Sequence, residues 1–253
     1  FNEGPWNEPL YWYEILNKKS VLKVLKYNLV NFYEKGGYVV IKPNINSTGI
    51  LRLPVYNFRP AQADPLHFDL WFKGKNLLID GGSYSYDTNL EKEYFSGIEA
   101  HNTVQFDNNQ PMPRLGKFLF GDWLKMDKKI SVEEVKDKVI IKASYRNKNG
   151  SHQRQIMFSK KNNAWVIVDK VSNFRSKVIL RWRLANLKWE RKDFCFKSSF
   201  AKINIEKNES IKKINIIEGY TSKEYLKMTK IPVLEIEVYD QPAIIITKIK
   251  LIS

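Results

Sequence analysis

The chain has 253 residues, 43% apolar and 13% aromatic, which is enough to fill a sizeable core. It has no run of about 18 apolar residues, so no helix spans a membrane, and no secretory apolar region opens it. The single Cys195, a core or half-buried thiol, excludes an internal disulfide and any multi-cysteine metal site, and the net charge of +15 is unevenly placed: residues 1–116 carry 12 Lys plus Arg against 12 Asp plus Glu, and residues 117–253 carry 30 against 15.

A basic surface attracts polyanions, whether nucleic acid, anionic lipid or acidic polysaccharide, and lysines also simply solvate the outer faces of a sheet. No recognisable base-reading element accompanies the lysines, so nucleic acid is not an expected partner.

Along the chain, Glu8 to about Val30 reads as helical. Ser20 can cap a turn before Val21, Leu22, Val24, Leu25 and Leu29, which fall on one helix face. After Gly36-Gly37 the pattern changes to short β-branched and aromatic runs: Tyr38–Lys42, Ile50–Tyr56, Leu66–Phe72, Asn76–Asp80, Thr103–Phe106, Val139–Tyr145, Gln153–Phe158, Ala164–Asp169, Lys177–Leu184, Ile203–Ile205, Val233–Tyr239 and Ala243–Ile249. Turn-forming clusters at 73–76, 147–151 and 160–163 each separate two of these runs. Recurrent strands with almost no helix predict an all-β fold, a large antiparallel β-sandwich of stacked sheets with a short N-terminal helical segment. Residues 1–35 are expected to be a helical lead-in from an upstream domain, since the chain starts at Phe1, and residues 36–253 one sandwich domain.

Two of the three histidines, His67 and His101, lie in or beside apolar runs, with Asp80 between them. Two imidazoles and a carboxylate suit Zn²⁺, and spacings of 13 and 21 residues suit neighbouring strands rather than a zinc-finger knuckle; a hydrogen-bonded, partly buried histidine is the alternative for each. His152, in a hairpin after Gly150-Ser151, is expected to be exposed. Trp71, Trp123, Trp182 and Trp189 suit either sugar platforms or core packing, and Arg181-Trp-Arg183 either a polyanion or a solvated face. Phosphate loops, nucleophile elbows and His-Glu-x-x-His helices are absent, which leaves nucleotide, esterase and metalloprotease readings unsupported.

The run His67-Phe-Asp-Leu-Trp71, then Asp80-Gly-Gly-Ser-Tyr-Ser-Tyr86, Tyr94-Phe-Ser-Gly97, His101-Asn-Thr-Val104 and Asp107-Asn-Asn-Gln110 resembles the C-terminal domain of the heparinase II/III-like polysaccharide lyases, closely over residues 58–110. The resemblance implies a C-terminal sandwich beside a helical toroid, with β-elimination of uronic-acid-containing polysaccharide in the cleft between them. It also implies a periplasmic or secreted protein. His67, Asp80 and His101 match the family's metal ligands, and the ion implied is Zn²⁺ in a mainly structural role. Asp69 is then either an orienter of one imidazole or a turn-facing carboxylate. Tyr84 and Tyr86 are the candidate catalytic side chains on this chain, with core or rim packing as the alternative, and Arg59, Asp64 and Tyr86 are candidate substrate contacts.

One departure bears on activity. The family commonly has a catalytic histidine two residues before the metal-binding one, and here Pro65 stands there. The family's tyrosine acid/base lies on the toroid, so the chain by itself is expected to be inactive. A non-catalytic carbohydrate-binding or structural module that keeps the metal site is the alternative function.

Overall fold

A computed structural model of the chain describes residues 28–86, 94–116 and 119–252. The expected helix from Glu8 lies outside these residues except at its end, where Val30 already starts a strand. The first half holds β1 (Val30–Tyr33), β2 (Tyr38–Asn44), β3 (Ser47–Arg52), β4 (Phe68–Phe72), β5 (Lys75–Leu78), a 3₁₀ turn Ile98–Ala100, β6 (Val104–Phe106), β7 (Arg114–Gly116) and β8 (Leu119–Phe120). The second half holds β9 (Ser131–Val135), β10 (Lys138–Asn147), β11 (Gly150–Ser159), β12 (Ala164–Ser172), β13 (Val178–Arg183), β14 (Glu190–Lys192), β15 (Cys195–Lys197), β16 (Ala201–Ile205), β17 (Ile211–Glu224), β18 (Lys227–Val238) and β19 (Ala243–Leu251). The all-β antiparallel architecture agrees with the sequence. β1 shows that the sheet begins before residue 36.

β1 to β5 form a meander in chain order. An eight-stranded sheet runs β14-β15-β16-β19-β12-β11-β10-β9, and a four-stranded sheet runs β17-β18-β13-β6. β7 and β8 make a small ribbon. The eight-stranded sheet is the common floor. Its β11 alternates buried and half-buried residues without a break, the period of a strand with one face on a core. Trp165 on that floor is fully buried against Phe68 of β4 and Phe158 of β11, at ring distances of 5.5 and 4.8 Å. Gly49 of β3 is required there, because a Cβ on it would lie 2.6 Å from the Trp165 ring. Trp182 of β13 donates to Thr247 Oγ1 of β19 at 3.0 Å, tying the four-stranded sheet to the same floor.

The five- and four-stranded sheets meet at a seam. Leu78 bridges Leu184, the Ile79 amide donates to Arg183 O, and the Ala185 amide donates to Leu77 O. β13 therefore shares one edge between β6, which pairs along residues 178–180, and the end of β5. All six residues of β13 are buried. This corrects both sequence readings of Arg181 and Arg183. Arg181 is paired with Glu235 at 2.8 Å and Gln105 at 2.7 Å, and Arg183, fully buried, donates to Tyr94 Oη, Glu99 O and Tyr220 O.

Candidate metal centre

The seam is where the three sequence-predicted ligands converge. Leu66 and His67 precede β4, Asp80 follows β5, and His101 follows the 3₁₀ turn and leads into β6. One ligand atom from each lies within 4.8 Å of the other two. Asp80 Oδ2 is 2.8 Å from His101 Nδ1 and 3.6 Å from His67 Nε2, and the two rings stand edge to face at 5.5 Å and 84°. His101 is fully buried and His67 nearly so, while the Asp80 side chain keeps 34% of its surface open.

Asn102, between His101 and Thr103, ties the ligand segments together. Its amide donates to His67 Nδ1 at 2.9 Å, its Nδ2 donates to Ile79 O beside Asp80 at 3.3 Å, and its Oδ1 accepts from the Arg183 amide at 2.6 Å. Thr103 Oγ1 donates to Pro65 O at 2.6 Å. The Gly-Gly turn serves Asp80: Gly82, at φ +76°, donates its amide to Asp80 Oδ1 at 2.7 Å and lies so close to Ser222 that a Cβ would collide with the Ser222 carbonyl.

Electrostatics follow from this packing. Burial pushes the His67 ring down to about 3, against the pull of Asp80, so it is neutral. Burial works against the Asp80 carboxylate, but the His101 charge and hydrogen bond, His67 and the Gly82 amide outweigh it and hold Asp80 below the ordinary carboxylate range. Neutral imidazole and ionised carboxylate are the forms a metal requires. Four ligands at about 2.0–2.1 Å from a tetrahedral ion stand roughly 3.3 Å apart, a separation that small movements of these groups reach. His101 Nε2 is buried without a hydrogen-bond partner. The donor set therefore fits an ion with three protein ligands. Because His67 Nδ1 accepts from Asn102, the neutral ring carries its proton on Nε2, so binding an ion through Nε2 requires that proton to move to Nδ1 and the Asn102 amide contact to be given up.

The other candidates are distributed around this centre. Asp69 accepts from Asn76 at 3.0 Å, and no hydrogen bond to an imidazole is found; burial raises it to about 7. Arg59 and Asp64 line one cleft of 370 Å³ with Lys35, Arg52, Tyr56 and Gln62. Arg52 Nε lies 3.4 Å from Asp64, whose carboxyl is raised by burial against the opposing charges of His101 and Arg52. Tyr84 stacks on Phe95 at 5.8 Å, and the exposed Tyr86 packs against Tyr225 at 5.9 Å. Trp182 is core, Trp189 is half-buried against it, and Trp71 and Trp123 are exposed over 39% and 38% of their surface.

His152 is not exposed, as the sequence had suggested, but fully buried, 2.7 Å from Asp169. Asp169 also takes Arg154 Nε at 2.7 Å and Nη2 at 3.2 Å. The sequence signal for this cluster was parity: His152, Arg154, Ile156 and Phe158 share one face of β11.

Comparison with known proteins gives a consistent result. Residues 28–227 match the family described as Heparinase II/III-like, C-terminal. Among solved structures, a heparinase III gene product superposes with a TM-score of 0.77 at 21% identity, covering 98% of this chain and 39% of its own. The heparan sulfate lyase HepC from Pedobacter heparinus gives 0.74 at 16% identity, over 96% of this chain and 41% of its own. A further heparinase III gives 0.73 at 17% identity, over 89% and 37%. At these identities the likeness shows the fold, and the chain spans about two fifths of the length of these structures. No curated protein matches the sequence significantly.

Proposed function

From its membership of the heparinase II/III-like family, in which it is a C-terminal domain, we propose that this chain forms one wall of a lyase that cleaves acidic, uronic-acid-containing polysaccharide by β-elimination. The observation that carries this reading is the convergence of His67, Asp80 and His101 at the seam between sheets, in a chain whose family matches over residues 28–227. The reaction removes the proton at C5 of a uronate and expels the C4 oxygen, so it needs a base, an acid and a group that neutralises the carboxylate.

In this reading the tyrosine acid/base belongs to a helical domain upstream, and this chain supplies the substrate-facing cleft. Arg59 and Arg52 offer positive charge to a uronate carboxylate, and Asp64 accepts from sugar hydroxyls. The ion is Zn²⁺, held by His67, Asp80 and His101; when bound, it pins the three segments against one another. The same reading places the protein in the periplasm or outside a bacterial cell, where such polymers are met.

A second reading is favoured by Pro65. In place of a catalytic histidine, this residue uses its carbonyl to hold Thr103 and leads into Leu66, whose backbone is left-handed at φ 56°. A carbohydrate-binding module that kept the fold and lost the chemistry fits that observation. The ultraviolet absorbance of unsaturated uronate, followed with the longest available form of the protein on a panel of uronic-acid polymers, separates the two. Product from any polymer supports the lyase; binding without product on every polymer supports the module. The 253-residue chain alone is expected to give no product, and turnover abolished by Tyr84→Phe or Tyr86→Phe would place the acid/base on the sandwich.

A further inference from the structure

We propose that Arg154, on the floor sheet and outside every motif that marks the metal centre, is the positioning residue that sets the distance between the ligand segments. The proposal rests on the metal reading above.

Arg154 is fully buried on β11 and makes four hydrogen bonds in two directions: Nε and Nη2 fork onto Asp169, while Nη1 donates at 2.6 Å both to Leu66 O and to Asn102 O. Those carbonyls belong to the residue before His67 and the residue after His101. A single guanidinium nitrogen thus bridges the two imidazole-bearing segments, which lie far apart in sequence, from the floor side, beside the bonds from Asn102 to His67 and from Thr103 to Pro65. Leu66 is also a place where such a hold is needed, because its left-handed backbone at φ 56° is unfavourable for a residue with a β-carbon. The Trp182 ring, 4.9 Å from the guanidinium, covers its face, and Asp169, held in turn by His152 at 2.7 Å, neutralises its charge.

A buried arginine with this role differs from one that only stabilises the sheet in what it does to metal affinity. In Arg154→Lys the charge opposite Asp169 is kept, but one ammonium cannot fork onto the carboxylate and also hold two carbonyls. In Arg154→Met with Asp169→Asn, both charges are removed together, so no buried ion is left alone. For whichever of these folds, zinc affinity measured against a competing chelator is expected to fall about 10–100-fold, the usual effect of removing support behind a metal ligand. Ile203→Ala, a core truncation on β16, is expected to lower the melting temperature of the metal-free chain while leaving zinc affinity within about twofold. In the unmodified chain, zinc is expected to slow amide exchange of β11 and β12 around Arg154 and Asp169 as well as at the ligand segments, since the clamp couples them.

Unchanged zinc affinity in a folded variant, an equal loss in Ile203→Ala, or zinc protection confined to the ligand segments would overturn the proposal while leaving the metal site standing. Absence of zinc binding by the unmodified chain would instead remove the metal reading and this proposal with it.

Discussion

Replacing Asn102 with Leu tests how the centre is knitted. Leucine keeps the branching and heavy-atom count of asparagine but ends in bulkier methyls, so some overpacking adds to a polar loss: the buried Arg183 amide loses its acceptor at 2.6 Å and Ile79 O loses its donor at 3.3 Å. Each buried group left without a partner costs about 1–3 kcal/mol, and the longer of the two bonds sits at the lower end, so the sum is roughly 2–5 kcal/mol. With a urea slope of about 3 kcal/mol per M, the unfolding midpoint should fall by roughly 1 M. Trp165 and Trp182, both fully buried, give the fluorescence signal. His67, Asp80 and His101 themselves are unchanged in the variant, so zinc should still bind, more weakly. A midpoint within experimental error of the unmodified chain, with metal affinity also unchanged, would refute the claim that Asn102 joins the segments.

Three further outcomes follow from the same geometry. His67→Ala should abolish the rise in melting temperature produced by zinc, whereas His152→Ala should lower the metal-free melting temperature and keep the rise; equal responses would contradict the assignment of ligands. Because burial depresses His67 to about 3 and also lowers His152, the unfolded chain takes up protons that the folded chain refuses. Their contribution is complete above about pH 6.5 and is lost as pH falls below it. Asp69, raised to about 7, works the other way, its contribution being lost as pH rises toward that value, so urea midpoints at pH 7.5 and 5 should show a steeper acid loss in Asp69→Asn than in the unmodified chain, and parallel profiles would count against it. Gly49→Ala should cost about 1–3 kcal/mol by forcing Trp165 to move, measured as a urea midpoint, and a neutral result would mean the sheets part more easily than their packing implies.

Much of the fold is legible in the sequence alone. Strands with apolar β-branched runs, such as β2, β10 and β12, announced themselves because one face of each is buried. β17, with Lys212, Lys213, Lys223 and Glu224 among its isoleucines, did not, since its pairing to β18 comes from backbone hydrogen bonds more than from burial. The ligands were readable as a metal set from their chemistry, and their convergence needed the seam. Arg154, His152, Arg181 and Arg183 were misread or missed for one reason: polarity was allowed to outvote parity. Each stands on the same strand face as buried neighbours, and each is held by partners on other segments, Asp169, Leu66 and Glu235 among them, which no local pattern reveals.

The outermost strands of the two larger sheets in the second half carry a further consequence. β9 reads Ser-Val-Glu-Glu-Val, β14 reads Glu-Arg-Lys, and β17 opens with Ile-Lys-Lys and closes with Ser-Lys-Glu. An unpaired strand border invites a second chain to add to it, and ionised side chains there make that addition costly. Part of the basic surplus of residues 117–253 thus lies where two copies of the protein would otherwise zip together. Neutralising Lys212, Lys213 and Lys223 would be felt first in the concentration at which the protein stays in solution.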